Sequence, residues 1–203
     1  MKKILVVSSG LVHPNLLCRL GLRNVLSELK NGATDFVTNI EDLVSLQSGE
    51  YRAVVLYFQR SKISDKALEA MENFVFNGGG LLAIHSASAS FKKNTRYYNL
   101  LGGKFISHGP VSEFKVAPIK GSRRPFGGIS SFMVVDELYI HRYKGDVTMH
   151  FQTEINGKKE PVVWTRELGR GRLAYCSLGH RPSIFKIPEV RQIIKNSMKW
   201  LVQ

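Results

Sequence analysis

Cysteine is scarce in this chain: Cys18 and Cys176 are the two present in 203 residues, far apart and in no Cys-x-x-Cys spacing. That excludes a disulfide framework or a zinc finger and predicts two free, buried thiols. Long apolar runs are missing too, for no stretch approaches the roughly 18 residues that a membrane helix needs. The amino terminus MKKILVVSSGLVHPN has a basic start and a short apolar run, as a leader peptide would. Yet Ser8, Ser9, His13 and Pro14 break the run, no small-x-small cleavage site follows, and Leu17 is too large to precede a lipoprotein cysteine at Cys18. The expectation is a soluble, cytoplasmic protein without membrane contact. Linkers and repeats are also lacking, and 43% apolar residues suffice for a full core, so residues 1–203 read as one domain.

Acidic side chains are few, 16 against 29 lysines and arginines, giving a formal net charge of +13. The excess lies mostly in residues 101–203, which hold 17 basic and 8 acidic side chains against 12 and 8 in residues 1–100. Such a balance attracts phosphates, but the basic residues form no continuous tail and match no nucleic-acid motif. No specific nucleic-acid partner is therefore expected.

What is present is an alternation of strands and helices. KILVVS at 3–8 is a short apolar run of the kind a buried parallel strand shows, and Leu16, Leu17, Leu20, Val25, Leu26 and Leu29 follow at helical spacing up to Asn31-Gly32. DFVTNI and RAVVLYF read as the next strands, with a poorly formed helix or turn, EDLVSLQSGEY, between them. SDKALEAMENFVFNGGG is a helix capped by Ser64 and stopped at Gly78. The pattern predicts an α/β fold, a doubly wound and mainly parallel sheet. The second half, from KFISHGPVSEFKVAPI to GRLAYCSL, is strand-rich without a long helix and predicts added antiparallel strands, with Gly169 and Gly171 turning the last hairpin. PEVRQIIKNSMKWLV closes the chain as an amphipathic helix.

GGGLLAIHSASASF, residues 78–91, carries the first functional signal. A strand that reverses into a helix at Ala83-Ile84-His85-Ser86-Ala87 has the outline of a nucleophile elbow, with histidine at the centre where serine or cysteine would stand. Ligands of open α/β sheets bind outside the carboxyl ends of the strands, so polar residues at strand ends are the candidates. His13 follows the first strand, His85 and Ser86 follow LLAI, His108 follows KFIS and His180 follows LAYCSLG, while Asp136, Glu137 and Tyr139 of DELY add carboxylates. At a helix start the dipole favours a neutral His85 able to act as a base, Glu137 orients a histidine or takes a proton, and amides at the bend can hold an oxyanion or a sugar hydroxyl. Each residue alone has a plain structural reading: a loop histidine, a helix cap at Ser86, a turn carboxylate. Their convergence on one edge favours a pocket. His141 and His150 lie inside strand-like runs and are left outside it.

GGGLLAIHSA, YYNLLGGKFISHGP, VVDELY, PVVWTRELGRGRLAYCSLGH and the closing KWLV resemble the trehalose-utilisation (ThuA-like) family, in that family's order. The resemblance implies the flavodoxin-like fold of class I glutamine amidotransferases and a role in disaccharide or oxidised-sugar metabolism. It implies no glutaminase chemistry, because His85 occupies the position of the amidotransferase cysteine. Carried over by motif, the polar positions are His85, Ser86, His108, Asp136, Glu137 and His180. Two departures stand out: members often have His-Pro where this chain has Arg124-Pro125, and an acidic residue where it has Arg181. Both add positive charge and point to an anionic ligand. The expected catalytic set is His85, Glu137 and His180; the expected substrate-binding set is His13, Ser86, His108, Asp136, Tyr139, Arg124 and Arg181.

The leading expectation is a carbohydrate-active hydrolase or isomerase acting on a small sugar or sugar phosphate. Its competitors are a non-catalytic sugar-binding or regulatory module, with or without homo-oligomerisation, and a metal-dependent hydrolase. Three histidines and a carboxylate suit zinc, but their spacing is not local, unlike a helical His-x-x-x-His pair, so no metal or other cofactor is expected.

Overall fold

The computed structural model describes residues 2–10, 14–29, 33–121 and 124–203. Five strands form the parallel half of a nine-stranded sheet: β1 (Lys3–Ser9), β2 (Thr34–Val37), β3 (Tyr51–Phe58), β4 (Gly80–Ile84) and, from the far end of the chain, β11 (Gly171–Cys176). Their order is β2-β1-β3-β4-β11, the flavodoxin-like arrangement, with the direction of winding reversing between β1 and β3. The inner strands β1, β3, β4 and β11 are mostly apolar because both faces are covered, whereas the edge strand β2 has no buried residue. Ile4 and Val6 of β1 join one core while Leu5 and Val7 join the other, and Val54 and Val55 of β3 divide the same way.

Helix α1 (Leu16–Ser27) and α4 (Pro188–Leu201) cover one face; α2 (Asp65–Phe76), α3 (Thr95–Leu101) and a 3-10 helix at Ile40–Ser48 cover the other. Their starts are set by side-chain caps, Asn15 accepting from Cys18 N at 3.0 Å and Ser64 from Ala67 N at 3.1 Å. None of the helices is long and apolar enough to cross a membrane, among the described residues.

Beyond β11 the sheet turns antiparallel through β10 (Lys158–Leu168), β9 (Thr148–Ile155), β6 (Ser112–Pro118) and β7 (Phe132–Asp136). Two strands leave it: β5 (Gly103–His108) pairs with β8 (Tyr139–Tyr143) as a separate antiparallel ribbon. GRLAYCSL forms the expected antiparallel hairpin with β10, turned at Gly169–Gly171. On its other edge β11 pairs with β4 in parallel, Cys176 opposite Ile84, a pairing the sequence did not foretell, and thereby brings the ends of both strands to one edge. One expectation is corrected: the elbow enters no α-helix. His85–Ala89 is a single 3-10 turn, too short for a macrodipole, so the state of His85 must be set by its neighbours.

Candidate functional site

All five residues of β4 are buried, so the chain leaves the sheet under tight constraint and reverses at once. His85 takes up the bend with φ +44°, a left-handed value that is costly for a residue with a Cβ. Its neighbours hold it there. The His85 carbonyl accepts from Tyr175 Oη at 3.0 Å and from Ser88 Oγ at 3.2 Å, and its ring Nδ1 donates to the Ser177 carbonyl at 2.7 Å. That last bond puts the proton on Nδ1 and turns the Nε2 lone pair outward. Ser88 and Tyr175 both meet His141 Nε2, at 3.0 and 3.2 Å, and the His141 amide donates to Glu160 Oε1 at 3.0 Å. Burial holds the His141 imidazole below its ordinary range, against the raising effect of Glu160. His141, Tyr175, Ser88 and Glu160 therefore form the floor beneath the bend. His141 lies inside a strand-like run and is not expected at the site, although the period-two alternation of YIHRY already places it on the same face as Tyr139.

Glu137, in the connection between β7 and β8, is where the histidines meet. Its Oε1 lies 3.0 Å from His108 Nδ1, and its Oε2 lies 3.4 Å from His180 Nδ1 and 3.8 Å from His85 Nε2. His108 Nδ1 also faces the Gly109 carbonyl at 2.9 Å, so it carries the proton between two acceptors. The ring of Tyr139 covers His85 at 4.1 Å between centroids and stacks on His108 at 5.8 Å. Four distant segments thus meet at one carboxylate: the β4 bend, the end of β5, the DELY connection and the β11 loop.

The close approach of that last loop depends on Gly179, which has φ +148°; a Cβ there would stand 3.1 Å from His85 Cβ. Asp136 fastens the same loop. Its carboxylate accepts from Gly179 N at 2.7 Å, Arg181 N at 3.1 Å and His180 N at 3.4 Å. Burial pushes its pKa up to about 7 despite these donors. Placed among the substrate-binding residues by sequence, Asp136 is instead wholly buried and committed to main chain, so it positions His180. Ser86 is likewise buried, and its hydroxyl finds no hydrogen-bond partner among the described residues. Arg181 is exposed beside His180.

Arg124 is the clear misplacement. It lines a cleft with Pro125, Asn196, Lys199, Trp200 and Gln203, where α4 ends. That end of α4 packs on Gly80 at the start of β4 and accepts from Arg172 near the start of β11, so Arg124 lies at the amino edge of the sheet, away from His85. His13 falls outside the described residues.

Positive charge gathers near the cluster through other residues. A groove of about 880 Å³ is lined by Arg60, Lys62, Lys92 and Lys93 from the loops after β3 and after the His85 turn. Lys92 lies over the Phe105 ring at 5.9 Å, and Phe105 packs on Tyr139 at 4.5 Å, which joins the groove to the histidines. The thiols take no part: Cys18 and Cys176 are both buried and free, and burial pushes Cys176 up to about 12.

The ThuA family, described as trehalose utilisation, matches residues 3–201. Among solved structures, the chain is similar to a ThuA-like protein from Parabacteroides merdae (TM-score 0.85, 18% identity, 100% of this chain and 90% of that one). Another ThuA-like protein, from Bacteroides uniformis, gives a TM-score of 0.82 at 20% identity, over 99% of this chain and 91% of that one. A β-galactosidase from Bacillus circulans sp. alkalophilus shares the fold at TM-score 0.67 and 15% identity, over 98% of this chain but 31% of that enzyme. No curated protein matches by sequence. With a match spanning nearly every residue and a fold that agrees, the chain belongs to the ThuA, trehalose-utilisation, family.

Proposed function

We propose that the protein acts on a carbohydrate, a disaccharide or oxidised sugar, with Glu137 and its histidines moving protons at a hydroxyl or carbonyl of the substrate. One observation carries this reading: a single buried carboxylate has three imidazoles within 3.8 Å at the carboxyl edge of the sheet. A general acid or base must lie within hydrogen-bond reach of the proton it moves, and Glu137 Oε2 presents itself between two imidazoles. His85, locked as the Nδ1–H tautomer by Ser177, offers a lone pair on the same side. His108 is half exposed at the rim, where its ring touches both Glu137 and solvent. The family's description, trehalose utilisation, supports a carbohydrate substrate, and a β-galactosidase that shares the fold agrees with it. Glutamine hydrolysis is not part of this reading, since the elbow carries His85 and both thiols are buried and neutral.

The test is a screen of disaccharides and keto-sugars by thermal shift and turnover, repeated with Glu137→Gln. A bound ligand raises apparent stability, by about 2.7 kcal/mol at a hundred times its Kd. Turnover is expected to fall at least a hundredfold in Glu137→Gln with sugar binding retained. Undiminished turnover in that variant, or no sugar ligand at all, defeats the reading.

The basic groove favours a second reading, binding of a sugar that carries an anionic group such as a phosphate, without chemistry. Its mark would be binding of a sugar phosphate, but not of the neutral sugar, weakening with salt and on Lys92→Ala.

A further inference from the structure

His85 Nε2 and His180 Nδ1 both face one atom, Glu137 Oε2, at 3.8 and 3.4 Å. Neither separation is that of a direct N–H···O bond, which runs from about 2.7 to 3.2 Å. The His180 separation is that of two ligands of a shared ion, and the His85 separation exceeds it by about 0.2 Å, a shift that side-chain torsion supplies. With metal–nitrogen and metal–oxygen bonds of about 2.0–2.2 Å, neighbouring corners of a tetrahedron lie about 3.3–3.6 Å apart. The three ligand atoms all fall within 4.8 Å of one another.

Charge and tautomer agree with the spacing. Glu137 is nearly buried, and among the described residues its ionic partners are imidazoles, with no lysine or arginine beside it. The lone pair of His85 Nε2 and a carboxylate oxygen pointed at one another in a buried site repel, and a cation between them turns that repulsion into attraction. Metal-binding histidines commonly give their other N–H to a main-chain carbonyl, as His85 does to Ser177. His108 holds the remaining oxygen of Glu137 at 3.0 Å and so fixes the direction of Oε2. The side chain of His180 is 22% exposed, which leaves a way in from solvent.

We propose that His85 Nε2, Glu137 Oε2 and His180 Nδ1 bind one divalent ion of the zinc class, with the fourth position open to water or to a sugar oxygen. Two imidazoles and a carboxylate suit zinc, whereas magnesium and calcium take oxygen ligands. Three protein ligands with one open position is the pattern of a catalytic rather than a structural zinc site. The inference rests on reading this cluster as the reactive centre and goes further by naming its ion. It also revises the expectation of no metal: the sequence separates the ligands by 52 and 43 positions, and the β4–β11 pairing brings the two histidines together where the β7–β8 connection delivers Glu137.

The experiment is calorimetric titration of the chelator-treated full chain with zinc and with magnesium, and with cobalt as a visible-absorption probe of four-coordination. One zinc per chain is expected, with magnesium not taken up. Glu137→Gln and His180→Ala should each weaken zinc by more than about 100-fold, and His108→Ala by about 10–100-fold through lost orientation of Glu137. His150→Gln, outside the cluster, should bind as the parent does. Circular dichroism checks that each variant is folded, and His180, partly exposed, is the ligand whose loss least disturbs packing. Substoichiometric uptake, or equal uptake by the parent and His180→Ala, overturns the proposal. Stoichiometric zinc without any sugar ligand defeats the carbohydrate reading and leaves the ion. Sugar turnover that survives chelation, with no zinc uptake, defeats the ion and leaves the proton-transfer reading.

Discussion

Replacing Asp136 tests whether the β11 loop is held by one buried carboxylate. In Asp136→Ala, Gly179 N and Arg181 N lose an acceptor at 2.7 and 3.1 Å, while the bond from His180 N, at 3.4 Å, is long enough to count for little. A buried donor left without a partner costs about 1–3 kcal/mol, and bonds to a charged acceptor lie towards the upper end. Gly179 N is buried and Arg181 N only part-buried, so the two together give about 2–4 kcal/mol. Relief of desolvation opposes that, because burying this carboxyl is unfavourable enough to push its pKa up to about 7. The net expectation is therefore about 2–3 kcal/mol at neutral pH. Asp136→Asn keeps one acceptor oxygen but turns an NH2 towards the other donor, so about 1–2 kcal/mol is expected. Urea unfolding of the three proteins gives the stability differences. The proposed sugar turnover, measured below the unfolding transition, should fall in both variants, because His180 is no longer held beside Glu137. A loss under about 0.5 kcal/mol with full activity in Asp136→Ala would refute the reasoning and make Asp136 a bystander.

Gly179→Ala should destabilise by about 1–3 kcal/mol, since φ +148° is unfavourable for alanine and its Cβ would press on His85 Cβ at 3.1 Å; unchanged urea unfolding would show that the loop shifts freely. His150 supplies a pH dependence away from the cluster. Its ring meets Thr165 Oγ1 at 2.7 Å and the Phe126 ring at 4.8 Å, and burial lowers its pKa from 6.5 to about 4. The folded chain thus favours neutral His150, so its contribution is fully present above pH 6.5 and is lost as pH falls towards 4. The loss is about 2 kcal/mol by pH 5 and about 3 kcal/mol in full. His150→Gln should lose correspondingly less stability between pH 7 and pH 5, and equal losses in the two proteins would contradict the assignment.

Local sequence determined the parallel half of the fold. KILVVS, RAVVLYF and LLAI are apolar on both faces, which a strand sandwiched between helix layers requires, and Asn15 and Ser64 set helix starts through contacts within three residues. The bend at His85 was legible for the same reason, as a turn between small residues at a strand end. Non-local pairing decided the rest. That GRLAYC runs parallel to LLAI follows from which strand it joins, and no spacing records this. Arg124 and Arg181 look equivalent as added positive charges in sequence, yet one lies at the amino edge of the sheet and the other beside His180. Asp136 and Glu137 are adjacent carboxylates with opposite fates, since one turns into the core to bind main-chain amides and the other turns out to meet three histidines. Neighbouring residues in a chain emerging from a strand point to opposite sides, and only the packed structure decides which side is the site.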